Sequence, residues 1–272
     1  MLFPINDIEC FAEIIGQGPP IVCLHGGFGL DHSYFRPGLD ALATQHTLIL
    51  LDLRGNGRSS IIPRAFFRFE LIRTDLEAIR TQLGFEQWAV LGHSGGGLVA
   101  GDYLAAYPHS VSHLIIVGGF PKFPFIAPEW LRRGLDHSTP EIHRGFQMFY
   151  EGVTTDENFR EANLLIAPLF FADPACADIT PFTRIIHRVD PFLAPVEHYA
   201  SIDVGTPLTG HTAPALILHG THDHRVPTSE ARRWLDFLPH AQFTEIPHTG
   251  HFPFIEAPVA VCDAIEEFLL KN

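Results

Sequence analysis

Cysteine is scarce and scattered. The chain of 272 residues carries four, Cys10, Cys23, Cys176 and Cys262. They lie far apart with no C-x-x-C pair, so neither a disulfide framework nor a zinc knuckle is indicated. Positive charge is in deficit too. The 18 Lys and Arg stand against 31 Asp and Glu, a formal net charge of -13, which argues against a polyanionic partner such as nucleic acid. No apolar run approaches the roughly 20 residues that span a bilayer. The opening Met1-Leu2-Phe3-Pro4-Ile5-Asn6-Asp7 has neither the basic region nor the continuous apolar core of a signal peptide. A soluble cytoplasmic protein without a membrane partner is expected. Internal repeats and low-complexity segments are also lacking.

What the chain does have is alternation. With 46% hydrophobic and 18% charged residues, its length suits one α/β domain or one domain with an insertion. Ile21 to Leu24, Thr47 to Leu51, Trp88 to Leu91, Leu114 to Val117, Ala215 to His219 and Phe243 to Ile246 are strand candidates, several of them apolar throughout as buried parallel strands should be. Helical patterns fall between and after them, at Glu70 to Leu83, Leu98 to Tyr107, Ser229 to Leu238 and Pro258 to Leu270. This order predicts an α/β fold, a mostly parallel central sheet with helices on both faces. Residues 121–212 break the rhythm. They are rich in Phe and Pro and suggest short helices without a clear strand. They are too long for an ordinary connection and are read as a helical cap inserted into a core made of 1–120 and 213–272.

Gly92-His93-Ser94-Gly95-Gly96 sits between an expected strand and an expected helix. A G-x-S-x-G sequence in that setting places the serine on a tight strand-to-helix turn, with its hydroxyl exposed at the sheet edge. A serine hydroxyl is a weak nucleophile until a positioned base takes its proton. The base is expected in the loop after the last strand. His251, in His248-Thr249-Gly250-His251, is preferred over its neighbour His248. Asp223, just beyond the Ala215 to His219 strand, is the expected acid that orients the imidazole. The turn after the preceding strand, Gly118-Gly119-Phe120-Pro121-Lys122, offers no carboxylate. Charge developing on a substrate carbonyl needs fixed donors. The Gly95 N–H is one, and Gly27, with Phe28 as second choice, supplies the other from His25-Gly26-Gly27-Phe28-Gly29. His25 is expected to brace that loop by hydrogen bonding. His222 and His224 flank Asp223, but no full set of ligands at metal spacing accompanies them, so neither a metal nor a cofactor is expected.

These segments, together with Asp52-Leu53-Arg54-Gly55-Asn56-Gly57-Arg58-Ser59, resemble the α/β-hydrolase superfamily over about two thirds of the chain. The order serine, acid, histidine is the family's. The resemblance implies that the Asp52 to Ser59 turn braces the loop beneath the active site without a catalytic role. Within the superfamily, the His25 to His32 and Asp52 to Gly55 segments look most like proline iminopeptidases and their esterase relatives. Three departures stand out: Phe28 occupies a position where those peptidases usually have proline, Gly95 one where their elbow often has tryptophan, and the cap is shorter than theirs. A peptidase would also need a cap carboxylate for the substrate ammonium, and Glu129, Glu141, Glu151, Glu157, Glu161 and Glu197 are available. The cap aromatics Phe123, Phe125, Trp130, Phe146, Phe149, Tyr150, Phe170 and Phe171 suit an apolar acyl or alcohol group. The expectation is a cofactor-free serine hydrolase acting on a small carboxylic ester through an acyl-enzyme. The alternatives are an aminopeptidase for short peptides with N-terminal proline, or a catalytically silent ligand-binding protein. The sequence leaves the natural substrate and the oligomeric state open.

Overall fold

The computed structural model describes residues 1–122, 136, 139–194 and 202–272. One sheet of eight strands organises the chain, in the spatial order β1-β2-β4-β3-β5-β6-β7-β8. The strands are β1 (Leu2–Ile5), β2 (Ile8–Ile15), β3 (Pro20–Leu24), β4 (Thr47–Leu51), β5 (Trp88–His93), β6 (Val111–Val117), β7 (Ala215–Gly220) and β8 (Gln242–Ile246). From β4 to β8 all pairings are parallel. β1 and β2 form an antiparallel hairpin, which joins the sheet edge through β4.

The apolar runs of β3 to β7 are nearly continuous because the middle of the sheet is buried on both faces. Side chains alternate along a strand, and the two sets enter different cores. Val22, Leu24, Ile49, Leu51, Val90, Ile116 and Ile217 share one with Leu76 and Ile79 of α1 (Phe69–Gln82) and Leu98 and Tyr103 of α2 (Gly95–Ala106). Their sequence neighbours Ile21, Cys23, Leu48, Leu50, Leu91, Ile115 and Leu216 pack with Val261, Ile265 and Phe268 of the C-terminal helix Pro258–Lys271. Fully burying one such aliphatic side chain is worth about 1.5–3 kcal/mol, so the register that keeps both sets inside is strongly specified.

Strand order positions the site. After β3 the chain builds outward to β4, then returns so that β5 lies on the other side of β3. The direction of sheet growth therefore reverses between β3 and β5, and the loops leaving their carboxyl ends diverge around a crevice. Those are the Gly26–Gly29 loop and the Ser94 turn.

Between β6 and β7 the described residues form helices. They include α3 (Pro140–Glu151), α4 (Asp156–Ile166) and several single turns. α4 starts with a capping box, Thr155 Oγ1 accepting from the Asn158 N–H while the Asn158 side chain accepts from the Thr155 N–H. α3 and α4 meet through Ile142 and Ile166, joined by Leu169 of the turn that follows α4. The segment's two stems are joined at their base. Val204 N–H donates to Pro121 O at 3.0 Å, and Lys122 pairs with Asp203 at 2.6 Å. Val153, Phe159, Phe171, Phe182 and Ile185 continue the same apolar cluster as Leu30 and Tyr34 of the core. Phe123, Phe125, Glu129, Trp130 and Glu197 lie outside the described residues.

Two features differ from the sequence reading. The β1–β2 hairpin is not anticipated by it, because Glu9 and Glu13 interrupt the apolar pattern of a strand whose outer side faces solvent. The helix expected at Ser229 to Leu238 is two short pieces, Thr228–Arg232 and Trp234–Phe237. Among the described residues, no helix is long and apolar enough to cross a membrane.

Candidate active site

Ser94 lies between the end of β5 and the first residue of α2, with φ 52 and ψ -117. A non-glycine residue here costs on the order of 1–3 kcal/mol and persists only when its surroundings enforce it. The enforcement is visible. Ser94 N–H donates to Val117 O at 2.9 Å, and Gly97 N–H donates to Ser94 O at 3.0 Å. α2 approaches β3 so closely that a Cβ on Gly96 would lie 2.2 Å from Leu24 O. Gly92 and Gly96 are therefore required by contact, a Cβ on Gly92 meeting Gly96 O at 2.4 Å, while the positive φ of the elbow falls on Ser94 itself.

The hydroxyl so presented is 2.9 Å from His251 Nε2, and His251 Nδ1 is 2.7 Å from Asp223 Oδ2. Asp223 leaves the turn after β7 with its other oxygen, Oδ1, accepting from the Arg225 and Val226 N–H groups at 2.9 and 2.8 Å. Asp223 and His251 are 6% and 3% exposed, so water competes little for their bond. Gly118, at φ +57 after β6, lies against the pair. A Cβ there would meet His251 Nδ1 at 3.3 Å and Asp223 Oδ2 at 3.4 Å. The turn that the sequence shows to lack a carboxylate thus forms a wall of the Asp–His contact.

The loop after β3 faces the elbow. Its Gly29 N–H donates to Asn56 Oδ1 at 2.6 Å, and Leu30 N–H to Gly27 O at 2.8 Å. Among the described residues, the Gly27 and Gly95 N–H groups have no acceptor. A Cβ added at Gly95 would lie 3.7 Å from Gly27 N and 3.3 Å from two carbons of the Phe28 ring. Phe28 itself packs edge-on against Phe67 and Phe69. Its ring occupies the space that a large side chain at position 95 would need, which accounts for glycine there. His25 does brace the loop: Nδ1 lies 3.3 Å from Gly26 O, and Nε2 accepts from Leu53 N–H at 3.2 Å. Burial pushes its pKa down. Beneath, Arg54 holds Asp75 of α1 through Nε and a terminal nitrogen, at 2.6 and 3.0 Å, fixing the Asp52 to Ser59 turn on the helix.

The remaining expectations separate from the site. His248 is exposed, at φ 58, its ring 5.8 Å from that of His222. Glu141, Glu151 and Glu157 are exposed, and Glu161 pairs with Arg144 at the surface. Phe170 stands beside the site, its ring 5.9 Å from that of His251, and its carbonyl accepts the His251 N–H at 2.7 Å. Tyr150 is 93% exposed.

Three neighbours of the site are not singled out by the sequence. Glu256 accepts from the N–H groups of Gly250 and Ala172 at 2.6 and 2.9 Å. It ties the histidine loop to the segment between β6 and β7, and burial holds its pKa above the ordinary value. Tyr34 and His93 are buried beneath Ser94. His93 is the variable position of the elbow motif, so its location is legible; nothing in the local pattern marks Tyr34.

Comparison with known proteins follows the same lines. The family model described as alpha/beta hydrolase fold matches residues 19–258. A pimeloyl-(acyl-carrier protein) methyl ester esterase from Vibrio atlanticus (strain LGP32) is 28% identical over 95% of this chain and 97% of its own. A proline iminopeptidase from Lactiplantibacillus plantarum is 28% identical over 99% of both chains. Among solved structures, a proline iminopeptidase-related protein from Thermus thermophilus superposes with a TM-score of 0.75 at 25% identity, covering 99% of this chain and 96% of that one.

Proposed function

Since the chain belongs to the α/β-hydrolase fold family and is a hydrolase, we propose that it cleaves carboxylic esters through an acyl-enzyme formed on Ser94. The observation that carries this reading is the continuous hydrogen-bonded chain Ser94 Oγ, His251, Asp223. In the proposed cycle Ser94 Oγ attacks the ester carbonyl as His251 Nε2 takes its proton. Asp223, held by two backbone N–H groups, fixes the tautomer with Nδ1–H toward itself and stabilises the imidazolium. The oxyanion is received by the Gly95 N–H and by that of Gly27 or Phe28. His251 returns the proton to the departing alcohol. Water, giving its proton to His251, then adds to the acyl carbon, and collapse of that intermediate returns the proton to Ser94 and releases the acid.

The aromatic rings of Phe28 beside Gly95 and Phe170 beside His251 favour an apolar acyl or alcohol group. In this reading the described helices between β6 and β7 belong to the cap that covers it. The described carboxylates of that segment face solvent or pair at the surface, and Glu256 is committed to two backbone donors; this favours the ester over a peptide with a free amine. The second reading, an aminopeptidase for N-terminal proline, draws on the relatives of that name. Initial rates on p-nitrophenyl acyl esters of increasing length, beside proline p-nitroanilide, separate the two. Ester turnover that falls by roughly 10⁵-fold or more in Ser94→Ala, at unchanged Tm, is the expected result. Anilide turnover exceeding ester turnover would replace it with the peptidase, and undiminished ester turnover in Ser94→Ala would remove the mechanism.

A further inference from the structure

Behind Ser94 runs a second hydrogen-bonded chain that involves neither Ser94 nor Asp223. Gly26 N–H donates to Tyr34 Oη at 2.6 Å, Tyr34 Oη lies 3.0 Å from His93 Nδ1, and His93 Nε2 lies 2.9 Å from the His251 carbonyl oxygen. Its direction is fixed by chemistry. A carbonyl oxygen can only accept, so His93 Nε2 carries the proton and Nδ1 presents a lone pair. Tyr34 then donates its hydroxyl hydrogen to Nδ1 and accepts from Gly26. All donors point the same way, and none of the participating atoms is left unsatisfied.

The chain is shielded from water. Tyr34 is 0% and His93 1% exposed, and the imidazole is enclosed by Phe252 and Phe254, with ring centroids at 4.7 and 5.1 Å. Burial drives His93 well below its ordinary pKa, which keeps it in the neutral form this polarity requires.

Its members adjoin the oxyanion loop, the nucleophile and the base of the proposed chemistry. Gly26 precedes Gly27, His93 precedes Ser94, and the accepting carbonyl belongs to His251. The His251 backbone is thereby held on two sides, its C=O by His93 from below and its N–H by Phe170 O. Three loops from three different strands are joined through one phenol and one imidazole.

Resting on the triad reading above, we propose that His93 and Tyr34 are positioning residues whose relay sets the spacing of the oxyanion loop, Ser94 and His251 during acyl transfer. Misplacement by about 1 Å costs on the order of 10²-fold in rate. The relay therefore acts on kcat, while substrate contacts that set KM lie elsewhere.

The test uses Tyr34→Phe, His93→Leu and His93→Gln, with kcat and KM on a p-nitrophenyl ester normalised to active sites by burst titration, and Tm measured alongside. His93→Leu is expected to lower kcat per active site roughly 10- to 100-fold with KM within about twofold. Tyr34→Phe, which keeps the ring packing, is expected to lower it about tenfold. His93→Gln can still donate to the His251 carbonyl and should recover part of the loss. Tyr34→Phe added to His93→Leu should cost little more, because the relay is already broken. Should His93→Leu fail to fold, Tyr34→Phe and His93→Gln carry the test. Variants with lower Tm but wild-type kcat per active site, or strictly additive losses, would overturn the proposal. Failure of the triad reading is read separately, from Ser94→Ala.

Discussion

Two Asp–His pairs stand at the carboxyl ends of the parallel strands, and they differ in what lies beyond the imidazole. Asp223, after β7, holds His251 Nδ1 at 2.7 Å, and the far nitrogen of that ring meets the Ser94 hydroxyl. Asp52, after β4, holds His32 Nδ1 at 2.5 Å, and the far nitrogen of that ring meets Glu13 Oε2 at 3.3 Å. Both rings are buried. A hydroxyl offers a proton to take, so the first pair can serve as a base. A second carboxylate has no proton to give at neutral pH and favours an imidazolium fixed between two acids. Asp52 also accepts from the His32 and Arg58 N–H groups at 3.0 and 2.8 Å, which anchors the loop that carries Gly27. In the proposed cycle the first pair moves a proton, whereas the second holds a loop.

The largest effect that would sharpen this contrast is on rate. Asp223→Asn is expected to lower kcat by about 10⁴-fold through the wrong tautomer, with Tm nearly unchanged; near wild-type kcat would place the acid elsewhere. Asp52→Asn is expected to do the reverse. Breaking a buried ion pair costs about 3 kcal/mol, a fall in Tm of roughly 6–12 °C for a chain of this size, while kcat per active site stays within about tenfold. If Asp52→Asn matched Asp223→Asn in rate at an unchanged Tm, the two pairs would not differ in kind.

A smaller effect is expected in pH. Burial alone would push His32 down. The hydrogen bond and charge of Asp52, the charge of Asp31 and the bond to Glu13 outweigh it and hold the imidazole above its ordinary 6.5. His25, buried nearby, is pushed down, and Asp52 is held below its usual carboxylate range by the same pairing, against its own burial. A histidine raised on folding stabilises fully below its unfolded value, and that contribution is lost as pH rises through the folded value. The Tm difference between wild type and His32→Gln should therefore be widest near pH 5–6 and narrow toward pH 9. A difference constant across that range would count against a charged His32. Smallest of all, Glu13→Gln should cost below about 1 kcal/mol, because Glu13 is 40% exposed and its pairs with His32 and Arg36 are screened. A loss as large as that of Asp52→Asn would mean that Glu13 carries the pair.

The same contrast separates what can be read along the chain from what cannot. The inner parallel strands β3 to β7 are legible because both their faces are buried and their central residues are apolar, whereas the edge strand β8 carries Thr244 and Glu245 and is largely unburied. The edge hairpin is not legible, since Glu9 and Glu13 face outward there. Ser94, Asp223, His251 and the glycine loop are candidates from the sequence because each lies in the turn or loop that follows a strand, in a fixed chain order. Their being brought together is a geometric result. Between β6 and β7 no such frame exists. Short helices there are fixed by contacts such as the 4.6 Å stack of Phe159 on Phe192, which no local period announces.

By itself the sequence determined the six parallel strands and the turn that carries the serine, since hydrophobic runs and glycine placement are properties of neighbouring residues. Only the tertiary structure decided that His251 Nε2 comes within 2.9 Å of the Ser94 hydroxyl, that His32 is given to Asp52 and Glu13, and that Tyr34 and His93 join three loops. The physical reason is common to all three. A histidine's role is set by the atoms at its two nitrogens, and those atoms come from strands far apart in the chain.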